Sequence, residues 1–369
     1  MTGLEDFYAG RRVLVTGHTG FKGSWLLHWL EMLGANVSGL SVDIPTTPSH
    51  FELTGLGRAD SIRFHDIRDR EALARAVDDA DPEIVFHLAA QPLVRLSYAQ
   101  PLETLEVNVI GTANLLEAVR ARGSPCTVIV ATSDKCYDNT GQVWGYRECD
   151  PMGGHDPYSM SKGAAELVVS SWRDSYFSHP GSIIRLASVR AGNVIGGGDW
   201  ARDRLVVDSI AAIAEGRPIV LRSPAATRPW QHVLEPLGGY LLLGKLLATD
   251  PDKDRLAEGW NFGPDPANVR PVRDVAEALV AAFGRGEVMV HRDPGELHEA
   301  FALGLNCDKA RQRLGWGPKW NFAETIARTV SWYKDWLDGS VDMRAVTRGQ
   351  IAEYSGEFAA VAAGQCPVS

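Results

Sequence analysis

An α/β architecture, a doubly wound parallel sheet followed by a smaller C-terminal lobe, is what this 369-residue sequence predicts. Three observations predict it. A short apolar run, Arg11-Arg12-Val13-Leu14-Val15-Thr16, passes straight into Gly17-His18-Thr19-Gly20-Phe21-Lys22-Gly23 and then into apolar residues at helical spacing, Trp25, Leu26, Trp29, Leu30 and Leu33. Strand-like and helix-like segments then alternate through about residue 190. That rhythm breaks at Asn193-Val194-Ile195-Gly196-Gly197-Gly198-Asp199-Trp200, where the chain passes into another lobe.

The first strand, glycine turn and helix make a dinucleotide-binding start of the Rossmann type. Its spacing is G-x-x-G-x-x-G, wider than the common G-x-G-x-x-G. Glycine lets the backbone approach a pyrophosphate closely, and the helix amino terminus favours the anion. Gly17, Thr19, Gly20, Phe21, Lys22 and Gly23 are therefore expected at a dinucleotide.

The second strand, 36–42, ends near the expected adenosine ribose. Asp43 is placed to accept from both ribose hydroxyls, which points to NAD over NADP, although Ser41 is the other candidate for that position. After a third short strand, Asp66 and Ile67 are expected at the adenine, with a helix cap as the equal alternative for Asp66. Ile84-Val85-Phe86-His87-Leu88-Ala89-Ala90 reads as a fourth strand with a small-residue end. Leu88, Ala89, Ala90 and Gln91 then lie near the nicotinamide ribose, and Asn108 opens the next helix, 108–120.

The strand at 127–131 delivers Thr132-Ser133-Asp134-Lys135-Cys136-Tyr137 to its carboxyl end, where parallel sheets place ligand groups. Tyr158-Ser159-Met160-Ser161-Lys162 puts a phenol and an amine one helical turn apart. A phenol with a reference pKa of about 10 needs roughly 4 kcal/mol of stabilisation to act as a base near pH 7, and a neighbouring ammonium and a nicotinamide cation are candidates to supply it. Another strand follows at 182–186. The pattern predicts a dinucleotide-binding domain over 1–190, with 229–263 returning to it. A substrate-binding lobe is expected from 191–228 and 264–345, and a C-terminal tail from 346–369.

Composition narrows the function classes. Apolar content of 45%, charge of 22% and a net charge of −9 describe an ordinary soluble globular protein. They argue against general nucleic-acid or anionic-membrane binding. The run Leu241-Leu242-Leu243 is too short to span a bilayer. Cys126, Cys136, Cys149, Cys307 and Cys366 are scattered and odd in number, which favours reduced thiols in the cytoplasm. The first residues show no signal-peptide pattern. Glu296, His298 and Glu299 lack metal-ligand spacing, so no metal is expected.

With these pieces together the chain resembles the extended short-chain dehydrogenase/reductase family, over nearly its whole length. The resemblance is carried by Gly17–Trp25, Ala90-Gln91-Pro92-Leu93-Val94-Arg95, the segment 132–137, Ala191–Trp200 and Arg228-Pro229-Trp230-Gln231-His232. It implies NAD as cofactor, CDP-D-glucose as substrate, and a redox-neutral 4,6-dehydration of the sugar. In the roles it implies, Tyr158 takes the 4-hydroxyl proton, Thr132 hydrogen-bonds the 4-oxygen, Lys162 holds the ribose and stabilises the Tyr158 anion, and Asp134 protonates the departing 6-hydroxyl. Lys135 is the candidate base at carbon 5, directly or through water, or else a fixed cation beside the enolate. Related dehydratases carry Asp-Glu where this chain has Asp134-Lys135.

For substrate, Arg228 is expected to clamp the diphosphate with Asn193 and help from Arg204, while Gln91 and His298 line the sugar side. A salt-bridged connector is the alternative for Arg228. A homodimer or dimer of dimers is implied by the resemblance alone. Other functions stay open: a dehydratase of a dTDP or GDP sugar, an epimerase or reductase that needs Tyr158 and Lys162 without Asp134, and a non-catalytic cofactor sensor.

Overall fold

The computed structural model describes residues 3–56, 62–252, 254–291 and 303–362. At its centre lie strands β1 (Arg12–Thr16), β2 (Asn36–Ser41), β3 (Ile62–Phe64), β4 (Ile84–His87), β5 (Cys126–Ala131) and β6 (Ile184–Ala191), joined by a seventh strand, Gly259–Phe262. Their order is Gly259–Phe262, β6, β5, β4, β1, β2, β3, and every pairing is parallel. Helices cover both faces, so the middle strands read as continuous apolar runs: all four residues of β4 are buried. The order reverses between β1 and β4, and their carboxyl ends open the crevice where such sheets bind ligands.

Gly20 opens the helix Phe21–Met32, whose residues from Gly23 to Leu30 are all buried, with Trp25 and Trp29 fully enclosed. The helix read as 108–120 begins earlier and is interrupted. Pro101–Leu105 is α-helical, Glu106–Ile110 forms a π-turn, and Gly111–Arg122 resumes the α-helix. Such π-turns recur at functional sites because the extra residue re-aims a side chain. Here the re-aimed side chain is Asn108.

Among the described residues, three two-stranded pairs lie outside the large sheet. Val194–Ile195 runs parallel to Gln231–His232, Thr227–Pro229 antiparallel to Val269–Pro271, and Ile219–Leu221 parallel to Val288–Val290. The segment 229–263 places its helix Leu234–Thr249 and strand Gly259–Phe262 with the large sheet.

The C-terminal segment expected from residue 346 begins within a helix, Met343–Ala362. Arg344 and Arg348 reach Glu31 at 3.0 and 2.8 Å, and Thr347 bonds His50 at 3.1 Å. Ile351 and Tyr354 are fully buried. Apolar burial and these ion pairs fix the start of the C-terminal segment against the rest of the fold.

That helix is also held by Glu235, a buried carboxyl on Leu234–Thr249. It accepts from the backbone N–H of Lys319 at 3.0 Å, that of Trp320 at 2.7 Å and the phenol of Tyr354 at 2.8 Å. Burial pushes its pKa from 4.5 up to about 7, against those hydrogen bonds and the nearby Lys319 charge. The folded chain therefore keeps a proton that the unfolded chain has lost. The resulting stabilisation is full below the unfolded pKa and declines as pH rises to about 7, by about 3 kcal/mol in total. Glu235→Gln is expected to flatten this stretch of the stability–pH curve in urea denaturation. A slope unchanged by the substitution would assign the decline to other groups.

Candidate functional site

The glycine turn lies against the end of β4. Gly17 has φ +74°, and a Cβ there would fall 2.6 Å from the Ala89 nitrogen. A Cβ at Gly23 would fall 2.1 Å from the Gly17 carbonyl oxygen. Only glycine fits either place. No side chain caps the helix Phe21–Met32, so its first N–H groups face the crevice without a side-chain acceptor. That is a cradle suited to a pyrophosphate.

Around it, Thr19 donates from Oγ1 to the Asp43 carbonyl at 2.6 Å, and its N–H meets Ser41 Oγ at 3.3 Å. Ser41 also bonds His18 at 2.9 Å and is buried, whereas the Asp43 side chain is exposed at the strand end. Ser41 is thus used inside the turn, and the exposed carboxylate at the strand end is that of Asp43. Asp66 neither caps a helix nor stands free: it grips Arg68 at 2.6 and 2.9 Å, and Asp69 caps the helix Arg70–Ala80 in its place. Ile67 is buried where a Cβ on Gly111 would meet it at 2.5 Å.

Leu88, Ala89 and Ala90 continue from β4 as half-buried backbone, with the Ala89 N–H on Thr16 Oγ1 at 3.3 Å. Asn108 pins this loop to the next layers. Its Oδ1 accepts from Gln91 N–H at 2.8 Å, and its Nδ2 donates to the Gln91 carbonyl and to Ser161 Oγ at 3.1 and 2.8 Å. Gln91 departs from its expected place on the substrate. Both hydrogens of its amide are used within the loop, on Leu93 O and Thr104 Oγ1, which leaves no donor for a sugar.

At the end of β5 two neighbouring hydroxyls have different partners. Thr132 donates to Glu166 Oε1 at 2.5 Å. Glu166 also accepts from Ser188 Oγ and Arg190 Nη2, both at 2.7 Å, and Arg190 reaches the Tyr137 phenol at 2.6 Å. The one hydrogen of Thr132 is thereby held by a buried carboxylate, which leaves its lone pairs for any contact with a sugar hydroxyl. Ser133, the next residue, donates to Asp134 Oδ1 at 3.0 Å and accepts from the Lys135 N–H at 3.2 Å.

Tyr158 and Lys162 stand on the helix Pro157–Trp172, which Asp156 caps through the Ser159 N–H at 2.9 Å. The Lys162 ammonium is 6.0 Å from the centre of the Tyr158 ring. Burial pushes the phenol up to about 12, with Ser133 and Arg204 pulling it down and Asp134 raising it. Without a bound cation the protein therefore holds Tyr158 protonated, a harder starting point than the free phenol. Burial lowers Lys162 to about 8, opposed by Glu166. Burial also raises Asp134, against Lys135, Ser133, Arg228 and Lys22. Its other oxygen, Oδ2, is buried without a hydrogen-bond partner. The loop after β6 closes over it, since a Cβ on Gly192 would sit 3.1 Å from Oδ2.

Lys22, expected only at the dinucleotide, is also part of this cluster. Burial and Arg204 lower its pKa to about 8, while Asp134 acts to raise it. Arg204 is ion-paired with Asp199 at 2.5 Å and acts on Tyr158 and Lys22. Arg228 is buried, within reach of the Asp134 charge, and donates to the Thr227 carbonyl at 2.9 Å. Asn193 is half-buried and uses its backbone carbonyl on Gln231. Lys135 is half-buried beside Asp134. His298 lies outside the described residues. Among the described residues no group of His, Cys, Asp and Glu is arranged to hold a metal, and no helix is long and apolar enough to cross a membrane.

Comparison with known proteins gives consistent findings. The model of the GDP-mannose 4,6 dehydratase family matches residues 14–329. The CDP-glucose 4,6-dehydratase of Salmonella typhimurium is 49% identical over 354 residues, covering 95% of this chain and 98% of that one. A dTDP-glucose 4,6-dehydratase of Xanthomonas campestris is 26% identical, covering 89% and 95%. Among solved structures, the dTDP-glucose 4,6-dehydratase of Streptomyces venezuelae with NAD and TYD bound superposes with a TM-score of 0.74 at 25% identity, covering 88% of this chain and 97% of that one.

Proposed function

The chain belongs to the GDP-mannose 4,6 dehydratase family, and from that premise we propose that it converts CDP-D-glucose to CDP-4-keto-6-deoxy-D-glucose and water, with NAD as its recycled cofactor. The observation that carries the chemistry is a buried carboxyl, Asp134, with one oxygen free of partners and the other hydrogen-bonded to Ser133.

Bound NAD would supply the hydride acceptor and donor that a redox-neutral dehydration needs. The glycine turn from Gly17 to Gly23 and the uncapped helix behind it hold the pyrophosphate, and Asp43 holds the adenosine ribose. Tyr158 accepts the proton of the sugar 4-hydroxyl. Lys162 holds the nicotinamide ribose and favours the Tyr158 anion, and Glu166 keeps that ammonium charged in a buried place. The new 4-keto group acidifies the hydrogen on carbon 5, which Lys135 removes. Asp134, raised by burial, then delivers its proton to the 6-hydroxyl, which departs as water. Arg228 and Asn193 are the diphosphate ligands, with Arg204 closer to the phenol.

The exposed apolar residues Leu102, Ile110, Met160 and Leu167 favour burial of this face against a second copy, in keeping with a homodimer. The reduced cysteines suit a cytoplasmic enzyme.

Incubation with CDP-glucose and, separately, dTDP-glucose tests the reading. The expected result with CDP-glucose is loss of one water by mass and a 4-keto product absorbing in alkali, with no net NADH. Product of unchanged mass would mean an epimerase. Stoichiometric NADH would mean a simple dehydrogenase, and preference for dTDP-glucose would move the base specificity.

A further inference from the structure

We infer that Arg95 and Asp203 form a clasp across the mouth of the site, an ion pair that opens to admit the nucleotide sugar and slows its escape once bound. The ligand is taken from the function proposed above; the clasp itself is read from geometry. Arg95 ends the motif Ala90-Gln91-Pro92-Leu93-Val94-Arg95, and no step of the dehydration uses it. The two members of the pair come from opposite walls of the crevice. Arg95 stands on the short helix Val94–Ala99, which follows the loop at the end of β4. Two residues on, Ser97 accepts the backbone N–H of Tyr158 at 3.1 Å, which fixes this helix to the wall that carries the phenol. Asp203 belongs to the other wall. It follows the loop after β6, where Gly192 lies over Asp134 Oδ2, and it precedes Arg204, which Asp199 holds at 2.5 Å. Arg95 Nη1 reaches Asp203 Oδ1 at 3.6 Å. Among the described residues no other hydrogen bond or ion pair joins Val94–Ala99 to the segment 199–214.

The backbone at Asp203 is shaped for this reach. Its φ is +62°, in the left-handed region that residues other than glycine rarely enter. The other described residue of this kind, Asp81, ends the helix Arg70–Ala80 as its C-cap, where that conformation is common. Asp203 ends no helix. It stands just before the helix Leu205–Ala214, whose N-cap is Arg204 and whose first N–H groups receive no side-chain cap. An aspartate at such a place ordinarily turns its carboxylate back onto those N–H groups. Asp203 is instead paired with Arg95. Elsewhere the two walls are joined by packed contacts. Trp25, fully buried, donates from Nε1 to the Gly197 carbonyl at 2.9 Å. A Cβ on Gly197 would fall into the Trp332 ring, and one on Gly198 into His50. The Arg95 and Asp203 side chains, by contrast, are 44% and 48% exposed. So exposed an ion pair is made and broken at small cost and adds little to stability. One part of the boundary is therefore a fixed seam, and the other a contact that yields to a ligand.

Stopped-flow tryptophan fluorescence with CDP tests the clasp. Arg95→Met keeps the apolar stem, and Asp203→Asn keeps a residue that tolerates the left-handed backbone. Each is expected to speed CDP dissociation by about threefold at low salt, the size of effect an exposed ion pair can have. The double variant is expected to dissociate no faster than either single one, because both remove the same contact. In 0.5 M sodium chloride, used to screen the pair, the difference from wild type is expected to vanish. Single-turnover dehydration at saturating CDP-glucose is expected to stay at the wild-type rate in all three variants, which separates a clasp from damage to the chemistry. Dissociation unchanged in the single variants, or effects that multiply in the double one, overturns the clasp. Wild-type protein that binds no CDP overturns the nucleotide-sugar reading itself, and the clasp with it.

Discussion

Turnover is expected to fall by on the order of 10²–10⁴-fold when Tyr158 is replaced by phenylalanine, with KM for the nucleotide sugar nearly unchanged. The substitution removes one oxygen and leaves the ring in its packed place, so the loss belongs to the chemical step. The structure makes the demand on this group larger than the sequence suggested. Burial pushes the phenol up to about 12, and bringing it to near 7 takes about 7 kcal/mol rather than the 4 of a free phenol. In the protein alone the downward pull comes from Ser133 and Arg204, and the rest is left to Lys162 and the charge of the oxidised nicotinamide. The pH profile has its sign from the same groups. Activity requires Tyr158 ionised, so it rises with pH through the phenol's working pKa. It requires Lys162 charged, so it falls again as pH passes that amine's pKa, about 8 in the protein alone. Tyr158→Phe is expected to lose the rising limb. A variant with turnover and pH profile like the wild type would show that Tyr158 is not the base.

The large sheet, the glycine turn and the Tyr158–Lys162 pair were legible because each is a local pattern. An apolar run, a glycine spacing and a four-residue helical step need no knowledge of distant chain. The different engagements of the Thr132 and Ser133 hydroxyls have a physical reason. At the end of an extended strand neighbouring side chains point in different directions, so Thr132 reaches Glu166 while Ser133 reaches Asp134. Ser133 is still extended, at φ −164° and ψ 159°, before the 3-10 turn Asp134–Cys136 begins. Glu166 was within reach of the sequence: Tyr158, Lys162 and Glu166 are spaced by four on one helical face. The helix Met343–Ala362 carried a similar signal in Met343, Thr347, Ile351 and Tyr354. Gln91 carried none, because its partners Thr104 and Asn108 are brought to it only by the helical turns at 101–110.

Asp134→Asn is expected to stop the reaction halfway. The amide has nearly the same shape, and its carbonyl can still accept from Ser133, so the fold and the oxidation at carbon 4 should survive. Asp134 is buried with one oxygen unpartnered, so replacing an ionisable group there with a neutral one costs the folded state little. What an amide cannot do is release a proton to a departing hydroxide. The raised pKa of Asp134, caused first by burial, is what keeps that proton available near neutral pH, and Lys135, Arg228 and Lys22 limit how far it rises. Loss of water is therefore expected to slow by on the order of 10²–10⁴-fold, the range for a general acid. Rapid mixing with CDP-glucose should show NADH absorbance that forms at close to the wild-type rate and then persists on the enzyme. In the wild type the same signal should be brief, because hydride returns as soon as water has left. The persistent signal separates failed elimination from failed oxidation, since Tyr158→Phe should show no such absorbance at all. Dehydration at the wild-type rate in Asp134→Asn would remove Asp134 from the mechanism and leave Lys135 or Lys22, both beside the same pocket, as the remaining proton donors to be tested.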